Sequence, residues 1–400
     1  MASTKTIEIV KATAPVLEVH GETITKVFYK RLFNQHPELK NIFNMSHQKQ
    51  GTQPKVLANA IFQYARHIDQ LDLLKGAVES IAQKHSSLSI RPEMYPIVGE
   101  NLLVAIKEVL GDAATPEIMN AWEEAYGDLA AIFINREEQL YNEKEKSLHG
   151  FRGQKEFIVF KKVAESNVIT SFYLKRIDGT PVPSFIPGQY VGITLEIPGT
   201  SHKHTRNYSL SDAPQKDYLR ISVKKEKGDP DGIVSNYLHN NIETGDTLSV
   251  GMPSGEFVVR DSNAPVVLLA GGVGITPLLS MYKALVKNPH RRVIFIQCVL
   301  HSGTHAFKQE IATLAHPDVS SVHIYSAPLT TDTLGETHDF EGFLSKEILK
   351  TVGITAESDF YCCGPAPFMA NALHLLDELE IPTSQIHYEF FGPAEELELV

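Results

Sequence analysis

Cysteine is scarce in this chain: three in 400 residues, Cys298, Cys362 and Cys363, of which two are neighbours, cannot form a disulfide framework. The fold must therefore be held by its core, and a reducing compartment is expected, the cytosol, with a mitochondrial share left open. Long apolar runs are missing too. The longest, from Ala264 to Met281, is interrupted by Gly271, Gly272, Gly274 and Pro277, and reads as a buried strand, a turn and a helix rather than a membrane span. The opening MASTKTIEIVKATAPVLEV lacks the basic start, apolar core and small-residue cleavage site of a secretion signal. No specific membrane association is expected. Basic charge is outweighed, 37 Lys and Arg against 48 Asp and Glu, and a net charge of -11 argues against general affinity for nucleic acid. Internal repeats and low-complexity tracts are absent as well.

What is present suits a globular protein: 42% hydrophobic and 21% charged residues, in a chain too long for one compact core. Three regions are expected. From Lys5 to about Lys146 apolar residues recur at helical spacing, with Pro54 and Pro116 placed as helix starts. After it, FIVFKKV, ITSFYLKRI, QYVGITLEI and YLRISVKKE are short β-rich runs between turns, the pattern of an antiparallel barrel. From Pro265 strands alternate with helices, as a parallel sheet with crossovers requires. The predicted architecture is multidomain: all-α over 1–147, an antiparallel β-barrel over 148–262, and an α/β parallel sheet over 263–400. Only the middle region has a slight basic excess, 14 against 13 acidic residues, which suits a phosphate-bearing ligand. A monomer is expected.

In the helical region His85 follows the run LLKGAVESIAQK, Phe43 lies in the connector LKNIFNMS, and Gln53 precedes Pro54, with Leu57 one turn beyond on the same face. Tyr29 sits within an earlier apolar helix. With 17 histidines in the chain, any single one is expected in a surface or core role. Together these types suit a haem pocket: an axial imidazole, an aromatic against the ring, and hydroxyl and amide donors for an iron-bound ligand.

The barrel region carries FIPGQYVGI, in which Tyr190 could lie beside a cofactor ring, and RNYSLS, with Arg206, Asn207, Tyr208 and Ser209. Arg206 and Tyr208 face one side of a strand. A guanidinium for pyrophosphate, an aromatic for isoalloxazine and a hydroxyl or amide for a ring nitrogen are what FAD needs. In DGIVSNYLH, Gly232 and Ser235 stand near a helix start whose free amides can meet a diphosphate; a plain N-capped loop would look similar.

The third region opens with VVLLAGGVGITPLL. Gly271, Gly272, Val273, Gly274, Ile275 and Thr276 form a strand, turn and helix start able to receive a pyrophosphate, although Pro277 departs from the usual dinucleotide fingerprint. YCCGPAPFM places Cys363, Gly364 and Pro365 at another strand end. The tail HYEFFGP holds Glu389, Phe390, Phe391, Gly392 and Pro393.

Taken together, Tyr29, Phe43, Gln53, Leu57, His85, Tyr95 and Glu137 resemble the globin domain of flavohaemoglobins. PGQY, RxYS and GxxS in that order, with the proline-bearing glycine turn and the aromatic tail, resemble the ferredoxin-reductase superfamily. The resemblance implies that Glu137 and Tyr95 accept from or orient His85, that Lys84 tunes the haem, that Phe391 covers the flavin until nicotinamide replaces it, and that Glu389 lies near the flavin. It further implies haem b, FAD and NADH or NADPH as cofactors, and a nitric oxide dioxygenase that converts NO and O2 to nitrate and protects against nitrosative stress. A broader NAD(P)H-dependent reductase and a gas-binding sensor are the alternatives. No arginine follows the second nucleotide-region strand in CVLHSGTHAFKQE to meet a 2′-phosphate, which favours NADH.

Overall fold

The computed structural model describes residues 2–45, 48, 51–288, 291–314 and 318–392. The chain divides into two compact units, one of residues 1–147, 151–154 and 194–206, the other of 148–150, 155–193 and 207–400.

The first unit is built on helices α1 (Thr4–Gln35), α2 (Thr52–His67), α3 (Lys75–Ser87), α4 (Met94–Leu110) and α5 (Pro116–Lys146). Two start on side-chain caps: Ser3 accepts from the amide of Thr6, and Thr115 from that of Ile118, with Pro116 at the first helical position. Along α1, Val10, Ala14, Leu17, Gly21, Ile24, Phe28 and Leu32 are buried at three- and four-residue spacing, one face turned to the core. Gly21 lets α2 come close, since a Cβ there would stand 3.3 Å from that of Ala58. Two local expectations shift. Helix α2 begins at Thr52 rather than Pro54, because Gly51 turns the chain in left-handed conformation and frees two more residues to wind. His85 belongs to the last turn of α3 instead of following it. Pro15 sits inside α1, which continues through it.

The second architecture is a six-stranded antiparallel sheet, nearly closed into a barrel. Its strands are β1 (Gln154–Ala164), β2 (Ile169–Arg176), β3 (Tyr190–Leu195), β4 (His204–Ser209), β5 (Leu219–Lys224) and β6 (Thr247–Gly251), in the order β4-β3-β6-β1-β2-β5. Leu210 bridges Ile221 and brings the two ends of the order together. The β6 strand was not expected, because TLSVG is too short and too polar to stand out. Helix α6 (Ile233–Asn241) lies between β5 and β6 in the chain.

The rest is a parallel sheet of β7 (Val266–Gly271), β8 (Val293–Val299), β9 (Val319–Tyr325), β10 (Phe340–Glu341), β11 (Asp359–Cys363) and β12 (Ile386–Glu389), ordered β10-β9-β8-β7-β11-β12. Every residue of β7 is buried, as expected for a central parallel strand with both faces covered. The connecting helices are α7 (Ile275–Leu285), α8 (Lys308–Ala312), α9 (Lys346–Thr351) and α10 (Ala366–Glu378). Helix α7 starts at Ile275 because the glycine turn runs straight into it, with Thr276 and Pro277 in its first turn. Within this unit Arg220 of β5, 3% exposed, bonds Glu310 of α8, and Lys283 of α7 bonds both Asp212 and Glu310. That buried ionic cluster ties barrel to sheet at fixed geometry. Among the described residues no helix is long and apolar enough to cross a membrane.

Candidate functional site

His85 is held from behind. Its Nδ1 lies 2.7 Å from Oε1 of Glu137 on α5 and 3.2 Å from the hydroxyl of Tyr95 on α4, and that hydroxyl donates to the same Glu137 oxygen at 2.5 Å. Glu137 is 2% exposed, so its side chain is anchored by two donors rather than by water. With Tyr95 already donating, Nδ1 carries the imidazole proton toward Glu137, and Nε2 is left with its lone pair and no hydrogen bond among the described residues. Burial, then the neighbouring Glu137, push the Tyr95 phenol well above its ordinary range, so it remains a donor. Tyr95 is itself positioned: the Tyr126 hydroxyl donates to its carbonyl at 2.6 Å, and the Tyr126 ring fits only because residue 99 is glycine, where a Cβ would stand 2.4 Å from the ring. The Phe133 ring packs 5.8 Å from that of His85. Sequence reading missed Tyr126, Gly99 and Phe133, which look like ordinary helix residues until α4 and α5 are packed.

Tyr29, Phe43, Gln53 and Leu57 come together in a second cluster. Tyr29 is 6% exposed, with Phe33 and Phe43 each 5.8 Å away by ring centroid. Burial raises its phenol pKa, and the side chains of Gln48 and Gln53, which reach the hydroxyl, offset part of that rise. Oε1 of Gln53 and Nε2 of Gln48 are buried without a partner among the described residues. Gln48 was not foreseen; nothing in LKNIFNMSHQKQ singles it out. Lys84 keeps an exposed side chain, yet desolvation lowers its ammonium pKa.

On the barrel, Arg206 and Tyr208 share one face of β4 while Ser209 is buried and Asn207 exposed. Tyr190 pairs with Ser254 through two 2.9 Å backbone bonds, and its ring lies against Gly255, whose Cβ would come within 2.8 Å. Gly255 has φ +107, so glycine is required on both counts. Ser235 turns its hydroxyl inward, accepting from the Glu226 amide at 3.2 Å and donating to the Gly232 carbonyl at 3.3 Å. It organises the start of α6, leaving backbone amides as the donors available there.

The nucleotide half is shaped by backbone. Strands β7 and β11 are parallel neighbours, with Cys363 opposite Ala270, so their two turns emerge side by side. A Cβ on Gly274 would stand 2.1 Å from the Cys363 carbonyl oxygen, and one on Gly364 2.4 Å from the Phe368 ring. Gly271 meets the same ring, at 2.6 Å. The turn Gly272–Gly274 and the first residues of α7, Ile275 and Thr276, follow, with the Thr276 hydroxyl on the Val273 carbonyl at 3.0 Å. Pro365 precedes α10 as its N-cap. Phe368 was not predicted; its role depends on two glycines 93 positions apart meeting one ring. Cys363 is fully buried, and burial followed by the charge of Glu389 raises its thiol. Glu389 lies opposite Cys363 on β12, its Oε2 buried and without a partner among the described residues, and burial pushes its carboxyl up to about 8. Phe390 packs against the sheet core, Phe391 is 48% exposed, and Gly392 is the last described residue; Pro393 lies outside the described residues.

A globin family model matches residues 26–133, and an oxidoreductase NAD-binding domain model matches residues 268–374. Over its full length the chain is 50% identical to a flavohemoprotein of Bacillus thuringiensis, all of which is covered. Across 98% of its length it is 48% identical to one of Halalkalibacterium halodurans, 97% of which is covered. The structure of a flavohemoglobin from Malassezia yamatoensis with bound FAD and heme superposes with TM-score 0.85 at 27% identity, over 98% of this chain and 99% of that one. The FAD/NAD binding domain of a nitric oxide dioxygenase from Vibrio cholerae covers 60% of the chain, with all of that domain matched, at TM-score 0.56 and 35% identity. A helical half that matches globins and anchors one imidazole, followed by a barrel and a parallel sheet that match an NAD-linked oxidoreductase, place this chain in the flavohemoprotein family.

Proposed function

We propose that the chain is an NAD(P)H-driven nitric oxide dioxygenase, with haem b on His85, FAD on the barrel and the nicotinamide nucleotide at the paired glycine turns, turning NO and O2 into nitrate. The regions 1–147, 148–262 and 263–400 are the three corresponding domains. The observation that carries the reading is the His85, Glu137 and Tyr95 network in the same chain as a nucleotide-binding oxidoreductase sheet.

The residues fit the groups. For haem there is an imidazole with one nitrogen anchored and the other bare, and in the same helical region a buried tyrosine beside two glutamines, with Gln53 Oε1 and Gln48 Nε2 buried and without a partner among the described residues. For the nucleotide there is a cradle at Gly271, Gly274 and Gly364 that any Cβ would fill. When bound, haem supplies an iron able to activate oxygen, and FAD converts a hydride into single electrons.

The chain's own contribution is positional. Glu137 draws the Nδ1 proton of His85 and so raises the donor strength of Nε2, an effect that activation of oxygen demands and storage does not. Tyr29 and Gln53 would offer hydrogen bonds to a gas held on the haem, with a hydroxyl and an amide suited to a ligand that carries negative charge. Arg206 would hold the diphosphate of FAD, Tyr190 and Tyr208 would offer aromatic surface to its flavin ring, and the amides after Gly272 and Gly274 would hold the pyrophosphate of the nicotinamide nucleotide.

The test is stoichiometric. Purified protein supplied with NADH, oxygen and nitric oxide is expected to yield one nitrate per nitric oxide consumed. Reduction of ferric iron or quinones without nitrate would replace this reading with the broader reductase. Failure of NADH to reduce the haem anaerobically would replace it with a gas sensor.

A further inference from the structure

In an open parallel sheet whose central strand leads into a glycine turn, the loop after the neighbouring second strand receives the adenosine ribose of a dinucleotide. Here the central strand is β7, the second is β8, and the loop is His301–Thr304. That loop carries no arginine or lysine. A carboxylate reaches it from elsewhere: Oδ2 of Asp332, on the loop after β9, accepts from the Ser302 amide at 3.2 Å and from the Leu329 amide at 2.9 Å. Desolvation works against the charge, but hydrogen bonds from the Ser302 side chain and the two amides keep the Asp332 carboxyl below its ordinary value.

Asp332 is also held still. Its own amide bonds the Leu329 carbonyl at 2.9 Å, Gly335 bonds the His338 carbonyl at 2.8 Å, and Thr333 and Thr337 bond each other through amide and hydroxyl. His338, 2% exposed, stacks on the Tyr325 ring at 4.5 Å and pins the far end of the loop to β9. The nearby cation, Lys308, is turned to the carbonyls of Thr337 and Glu336 at 2.7 and 3.4 Å, and the His301 Nδ1 accepts from Gly303 at 3.2 Å.

We infer that Asp332 selects NADH over NADPH, its carboxylate accepting from the ribose hydroxyl and repelling a 2′-phosphate. The inference rests on the nucleotide-dependent reading above and names the coenzyme it takes. A carboxylate anchored by two backbone amides cannot swing aside, so a 2′-phosphate placed there meets a fixed like charge, whereas a ribose hydroxyl meets an acceptor.

The experiment is equilibrium calorimetry on the full-length purified protein with AMP and with adenosine 2′,5′-bisphosphate, the adenosine ends of the two coenzymes. Wild type is expected to bind AMP at least about tenfold more tightly, and Asp332→Asn, which keeps an acceptor oxygen for the amides, to narrow the ratio to about threefold or less. Glu336→Gln removes an exposed charge from the same loop and is expected to leave the ratio alone. An unchanged ratio in Asp332→Asn, or an equal change in Glu336→Gln, overturns the assignment to Asp332 while nucleotide binding itself stands. If wild type binds neither fragment, nor NAD+ nor NADP+, the nucleotide-dependent reading falls with it.

Discussion

The cluster proposed to hold haem and the cradle proposed to hold the nucleotide are built from opposite materials. Around His85 the working parts are side chains, drawn from α3, α4 and α5 and fixed by hydrogen bonds among themselves. Around Gly274 the working parts are backbone, and what matters is the absence of side chains, since two turns approach to distances no Cβ allows. Glu137 and Glu389 make the same contrast. Glu137 has two donors on one oxygen, whereas Glu389 has a buried oxygen without a partner among the described residues, beside a buried thiol. Side-chain networks tolerate graded damage, because each bond contributes separately; a steric cradle fails at once.

The largest effect should therefore come from the cradle. Gly274→Ala would drive a methyl into the Cys363 carbonyl at 2.1 Å, and the loss is expected to be about 3 kcal/mol or to prevent folding of the nucleotide half. Gly272→Ala adds a methyl with nothing within 4 Å and bears only the strain of φ +52, about 1 kcal/mol. Denaturant melts of both variants measure this; equal losses would show that backbone conformation, not close approach, sets the requirement.

Glu137→Gln comes next. It keeps the shape but removes the charged acceptor, and haem retention or nitric oxide turnover is expected to fall about 10- to 100-fold. Tyr95→Phe, which leaves Glu137 in place, should cost far less, about 1 kcal/mol of stability. Haem content of the purified variants and their turnover separate the two. A larger loss in Tyr95→Phe than in Glu137→Gln would break the view that the carboxylate is the essential partner.

The smallest effect concerns pH. Glu389, at about 8 in the folded chain against an ordinary 4.5, binds a proton that the unfolded chain has released between those values. The folded state then holds more protons, so stability falls as pH rises from 4.5 toward 8. Glu389→Gln removes this dependence and should raise the melting temperature more at pH 8 than at pH 5. An equal rise at both values would show that the carboxyl is already ionised when folded.

How much of this could be seen in the chain itself follows the same division. The glycine turn, the RNYSLS strand and the order of three architectures were legible because they depend on local backbone rules and residue periodicity. Strand β12 and the role of Phe368 were not, since a four-residue strand and a ring between two glycines acquire meaning only inside the sheet. Gln48 was likewise invisible beside Gln53, and Ser235 carried no sign that its hydroxyl would face the turn rather than a ligand.

Sequence alone settled the alternation of helix, barrel and parallel sheet and marked where glycine had to stand, because steric limits on φ and the spacing of apolar residues act within a few positions. Spacing and periodicity gave no reason for Glu137 to meet His85, 52 positions away, which only the resemblance implied and the tertiary structure brings about, and tertiary structure alone decided that Asp332 reaches Ser302, 30 positions away. A buried acid and its donor recognise each other only after packing has excluded water and brought distant helices and loops to hydrogen-bond distance.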